Sequence, residues 1–263
     1  MRKHVSFLTT LAVASALVVL PQHTVRAESD NSSACRGLPS HSDLRAALEA
    51  ARALANGGFN LDMWATVVNR DGVVCAVAFT GNNRADQWPG SRVISAQKAN
   101  TANAFSLPQL ALSTANLYTA VQPGGSLAGL QESNPVDVSV AYRGNSSNYG
   151  RANDPMVGGK IGGVNIFGGG LALYTDTGRL IGGLGVSGDS SCADHNIAWR
   201  VRDSLDLDTV PSGVSGDATR PDNIVYDITS QPGQMPGVSA SGWGHPVCGA
   251  AATAIAAALP AAE

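Results

Sequence analysis

The 263-residue chain has little charge and few aromatic rings: 14% of its residues are Asp, Glu, Lys or Arg, and 5% are Phe, Trp or Tyr. It contains no C-x-x-C pair, no H-E-x-x-H and no G-x-S-x-G. The usual zinc-ribbon and zincin spacings and the hydrolase nucleophile elbow are therefore excluded. Beyond the stretch Phe7 to Leu20 no apolar run approaches the roughly 20 residues that cross a bilayer, and Phe7 to Leu20 is itself shorter than that.

The beginning of the chain reads as a secretory leader. Arg2 and Lys3 precede that apolar stretch, and Val25-Arg26-Ala27 offers the small residues a signal peptidase prefers, so cleavage is expected near Ala27. Residues 1–27 carry Arg2, Lys3 and Arg26 but no acid, which leaves 14 basic against 20 acidic residues in the mature part. Such a balance lacks the basic footprint that nucleic acid or an anionic membrane surface requires. The expectation is an exported, periplasmic or secreted protein with one domain over residues 28–263.

All four cysteines, Cys35, Cys75, Cys192 and Cys248, lie in the mature part. An even count in an oxidising compartment reads as two disulfides, with three connectivities open. The positions of the four favour Cys35 with Cys75 and Cys192 with Cys248.

Ser40 and Asp43 form an S-x-x-D capping box before Leu44, Ala47, Leu48 and Ala51, which recur at helical spacing until Gly57-Gly58. Two β-rich runs then flank Arg70-Asp71-Gly72, a hairpin signal. A second helix is expected over Ser91 to about Phe105 and a third over Leu107 to Val121. Residues 122–163 are loop-rich and read as a lid or a packing arm, since loops of that length are usually functional coverings. Apolar runs around Thr175-Asp176-Thr177-Gly178 give another hairpin, and Asp189 or Ser190 can cap a helix that ends near Leu207. The stretch 209–263 is a Pro- and Gly-rich extension closed by an Ala-rich segment.

GLGVSG at residues 183–188 matches the dinucleotide fingerprint G-x-G-x-x-G. The run before it, however, pairs through a D-T-G turn, which is antiparallel chemistry, and no β–α alternation follows to build a parallel sheet. The helix start beyond it is still chemically useful. Its free N–H groups favour an anion and disfavour protonation of His195 in the first turn, leaving the neutral imidazole that can ligate iron.

The leading amphipathic helix, the pair VVNRDGVVCAVAF, the helix ISAQKANTANAF, and GRLIGGLGVSG followed by Asp194 and Ile197-Ala198 together resemble the GlcG/HbpS-like heme-binding proteins, which include the C-terminal domain of PduO. The resemblance covers about residues 40–206, apart from 122–163. It implies an α/β (α+β), profilin-like fold, an antiparallel sheet of about five strands with packed helices, often assembled as homo-oligomers and associated with heme or corrinoids. Signature positions carried over are Lys98, Thr101, Ala102, Gly185, Val186, Ser187, Gly188 and Asp194. No family histidine can be matched. Pairing of Cys192 with Cys248 would bring His195 and His245 into one neighbourhood.

The leading expectation is thus a heme- or tetrapyrrole-binding protein. Lys98, Thr101, Ser187, Gly188, His195 and His245 are its candidate cofactor-binding residues, His195 and His245 (or a tyrosine) its candidate iron ligands, and Tyr149 and Phe167 lie among the groups covering the porphyrin. An alternative is an enzyme acting on a small carboxylated or hydroxylated metabolite, with Lys98 as anion clamp or base and Asp194 with His195 as acid–base pair. A third reading is a non-catalytic oligomeric sensor or scaffold.

Overall fold

The computed structural model describes Met1 and residues 31–263, so the leader read at residues 1–27 lies outside the described residues apart from Met1. The elements are α1 (Asn31–Ala34), α2 (His41–Arg52), β1 (Trp64–Asn69), β2 (Val74–Phe79), α3 (Ser91–Phe105), α4 (Tyr118–Val121), α5 (Val138–Ala141), β3 (Gly170–Tyr174), β4 (Leu180–Ser187), α6 (Ser191–Ser204), β5 (Ile228–Gln231), β6 (Gln234–Ser239) and α7 (Ala250–Ala257). The capping box opens α2 as read: Ser40 Oγ accepts from the Asp43 amide while Asp43 Oδ2 accepts from the Ser40 amide at 3.1 Å.

Both hairpin signals close turns. Asn69 Oδ1 accepts from the amides of Asp71 and Val73, and Gly72 sits at φ 74° between β1 and β2. Gly178 at φ 70° does the same between β3 and β4, where a side chain would be strained. The result is an α+β fold built on an antiparallel sheet of order β2-β1-β4-β3. One sheet face, with Ala65, Val67, Leu173, Leu184 and Val186, packs on α2 and α6; the other, with Trp64, Val68 and Val77, packs on α3.

The sheet has four strands rather than about five. At the β3 edge the place of a fifth is taken by one parallel bridge, Tyr174 with Asp208. The chain enters that bridge from Asp206 in the left-handed region, at φ 53°, and soon meets Pro211, which has no N–H to extend a ladder. Among the described residues β5 and β6 pair only with each other. The helix expected over Leu107–Val121 also shortens, to a 3₁₀ turn at Thr114–Leu117 followed by α4. Ser106 Oγ holds both the amide and the carbonyl of Leu112, which keeps the preceding stretch out of a helix.

Residues 122–163 pack as an arm. They pair with the outer strand through Val74 N to Gly159 O at 2.9 Å and Gly158 N to Val74 O at 2.8 Å. They also bury Asp154 against Arg92 of α3, with the Tyr149 ring centroid 3.7 Å from the guanidinium carbon. Two disulfides, Cys35–Cys75 and Cys192–Cys248, staple the two ends of the chain to the core. The extension returns through α7, whose carbonyl of Ala252 accepts from Asn196 on α6. Among the described residues no helix is long and apolar enough to cross a membrane.

Candidate functional site

The glycines of GLGVSG are where α3 comes down on the sheet. A methyl on Gly185 would collide with the Ser95 carbonyl and stand 2.5 Å from the Ala99 amide, and one on Gly183 would stand 3.1 Å from Asn103 Cβ. Their function is close helix–strand approach, and it brings Lys98 over the end of β4. There Lys98 Nζ donates to the Val186 carbonyl at 3.0 Å and to Asp194 Oδ2 at 2.7 Å, so a side chain from one face of the sheet pairs with one from the other. Gly169, at φ +112°, leaves the gap through which they meet: its Cβ would lie 3.0 Å from Asp194 Cβ and 3.2 Å from Lys98 Nζ.

Both partners are sealed, with side-chain exposures of 1% and 3%. Burial raises the Asp194 carboxyl to about 6, opposed by the Lys98 ammonium and by the Asp189 amide, which donates to Oδ1 at 2.8 Å. Burial also depresses the Lys98 ammonium, and Asp194 opposes that. Thr101, one turn along α3, is buried and accepts from the Asn165 amide at 3.0 Å; Ser187 ends β4 beside the pair and Gly188 follows it.

Ser190 caps α6, its hydroxyl accepting from Ala193 N and its carbonyl from Asp194 N. His195 is fully buried, and burial holds its imidazole down to about 3, hence neutral. Its Nε2 faces Asn223 Oδ1 at 3.1 Å and the Ile224 amide at 3.2 Å, while Nδ1 is buried with no partner among the described residues. His245 is 3% exposed and held down to about 4, again by burial. Its Nδ1 lies 2.8 Å from the Pro246 carbonyl, which can only accept, so Nδ1 carries the proton. The Nε2 lone pair is left to accept from Ser191 Oγ at 2.7 Å.

The structure thus gathers Lys98, Ser187, Gly188, Asp194, His195 and His245 around one end of α6. The two histidines influence each other electrostatically, yet their Nε2 atoms have separate partners. Sequence reasoning missed Ser191 and Asn223. The signal for Ser191 was available: it adjoins Cys192, and His245 lies three residues before Cys248, so the disulfide that joins the cysteines also joins serine to histidine.

As iron ligands the two imidazoles differ. His195 offers nothing to an outside group, being sealed beneath the residue 223–224 segment. His245 fits the donor chemistry heme iron needs: a neutral ring whose Nδ1–H is fixed on a carbonyl and whose Nε2 is held only by the hydroxyl of a part-buried serine. Its ring lies 5.1 Å from that of Tyr118, and Val247 two residues on is 59% exposed. A hollow of about 410 Å³ reaching Asp189 from Arg52, Gly58 and Asn60 includes neither histidine.

Comparison with known proteins gives one family and several solved structures. The family described as "Haem degrading protein HbpS-like" matches residues 40–202. A solved complex of PduOC with heme is 27% identical over 65% of this chain and 94% of its own, with a TM-score of 0.44. The Klebsiella pneumoniae protein ORFY is 24% identical over 62% and 86%, with a TM-score of 0.42, and HbpS is 19% identical over 73% and 96%, with a TM-score of 0.39. No curated protein matches.

Proposed function

The chain belongs to the HbpS-like family, and from that premise we propose that it is an exported heme- or tetrapyrrole-binding protein in which His245 ligates the iron. The observation that carries the assignment is the orientation of His245: Nδ1–H on the Pro246 carbonyl, Nε2 toward Ser191. A metal-binding histidine is commonly fixed in this way by its other nitrogen. Iron would replace the Ser191 hydroxyl as the partner of Nε2, and the Ser191 side chain would turn aside. Tyr118 beside the ring, with exposed Val247 and Phe167, supplies apolar surface for a porphyrin face or for a second subunit of a homo-oligomer. Bound heme would supply the iron and its redox chemistry; the chain's own part is to hold the ring neutral and oriented.

Export is supported by the leader-like first residues and by the two disulfides. The metabolite-enzyme reading has less support. Lys98 and Asp194 satisfy each other out of reach of solvent, and His195 is closed over, so a small acid would have to open the core to meet them.

Hemin titrated into the mature protein should give a saturable Soret change. His245→Ala should weaken binding by at least about tenfold, the order of a lost metal ligand or its support, whereas His195→Ala should not. A flat titration, or one that His245→Ala leaves unchanged, overturns the assignment.

A further inference from the structure

We propose that Ser191 is a nucleophile activated by His245, giving the heme-free protein an acyl-transfer activity toward small activated esters. Ser191 Oγ lies 2.7 Å from His245 Nε2. The opposite ring nitrogen donates to the Pro246 carbonyl at 2.8 Å, which fixes the tautomer with its lone pair facing the serine. Nucleophile, base and orienting group therefore stand in the order that serine catalysis uses, with a backbone carbonyl in the place of the acid.

Three further features favour this serine over an ordinary hydrogen-bonded one. Ser191 is part-buried and His245 behind it is 3% exposed, so a small ester would approach from the serine side. Ser191 is the first residue of the 14-residue α6. Of the amides there, Ala193 and Asp194 are taken by Ser190, Cys192 N meets only the weak sulfur acceptor of Cys248 at 3.2 Å, and Ser191 N has no carbonyl one turn back. Those two amides and the positive end of the helix are available to an oxyanion. Finally, Cys192–Cys248 ties the residue after the serine to the residue three beyond the histidine, which holds the pair in register.

The chemistry balances without a further oxidant or reductant. Oγ bonds to the ester carbonyl carbon as its proton passes to Nε2; the carbon–oxygen bond to the leaving group breaks, and the leaving oxygen takes that proton. Water then adds to the acyl carbon, gives a proton to Nε2, and the serine departs with it, releasing a carboxylic acid.

The test incubates heme-free mature protein with p-nitrophenyl acetate and reads the nitrophenol burst together with peptide mass spectra. One acetyl group per chain on Ser191 is expected. Ser191→Ala should abolish burst and adduct, Ser191→Cys should carry the acetyl group at the same position, and His245→Gln should slow acylation by about 100-fold or more, the usual scale of general-base help. Thermal melts identify any variant that has not folded. Acetyl groups only on lysines, or a burst that survives Ser191→Ala, overturn the proposal. Because no heme is present, the outcome is independent of the hemin titration.

Discussion

Replacing Lys98 by Met should strand Asp194 in the core, and the cost should depend on pH in a way that identifies that carboxylate. Removing one partner of a buried ion pair costs about 3–5 kcal/mol when the other stays charged. Asp194 can escape by keeping a proton. In the native chain it titrates at about 6 against 3.8 unfolded, and Lys98 is what pulls it down toward 6. Without Lys98 it rises further. Between its unfolded and folded values the native state holds a proton that the unfolded state has released, so stability falls as pH rises, by about 1.4 kcal/mol per unit. The double variant Lys98→Met/Asp194→Asn differs from the single one only in that group. Urea unfolding of the two at pH 5 and pH 7 should therefore show a gap that widens, by at most about 3 kcal/mol (two units at that slope), with the double variant the more stable. Curves that run parallel between pH 5 and pH 7 would refute the reasoning, because they would mean that Asp194 ionises in the core at no cost.

The two disulfides close loops of 40 and 56 residues of sequence separation, so replacing either cysteine pair by serines should lower stability by about 4 kcal/mol on the chain-entropy estimate. Only loss of Cys192–Cys248 should also remove Ser191 acetylation, and urea midpoints with adduct mapping read both effects. Gly185→Ala should cost about 3 kcal/mol or more, because the added methyl lands on the Ser95 carbonyl and lifts α3 from β4; a urea midpoint unchanged from the native one would contradict the packing described. The His195 imidazole, held down to about 3 by burial, should stay neutral from pH 8 to pH 5, and its ring nitrogen shifts in NMR should not move over that range.

Much of the frame was legible because it is local. Ser40 with Asp43, Asp71-Gly72, Thr177-Gly178 and Ser190 each act over a few residues, and each marks a cap or turn in the structure. What failed to show in sequence was set by distant partners. The segment 107–113 has helix-compatible residues, yet Ser106 holds Leu112 extended. The expected fifth strand is reduced to the Tyr174–Asp208 bridge by a left-handed residue and a proline whose consequence depends on which edge they meet. The stretch 122–163 read as a lid or a packing arm, and what the sequence could not show was its anchor, Asp154 under Arg92, which joins residues 62 apart.

The site divides along the same line. Lys98 and Asp194 stood out as signature residues, but their burial turns them from reagents into a brace that ties α3 to α6 through the gap at Gly169. His195 was singled out because it lies in the first turn of a helix, where free N–H groups and the dipole favour a neutral ring; the structure keeps it neutral by burial and sets its Nε2 against the Ile224 amide and Asn223 Oδ1. The Nε2 that faces a part-buried hydroxyl is that of His245, a residue outside the matched region 40–202. Iron ligation and serine activation both need that one lone pair, so in any single molecule they exclude each other. A chain in which heme occupancy and acyl transfer varied together, with no trade-off between them, could not be using His245 for both.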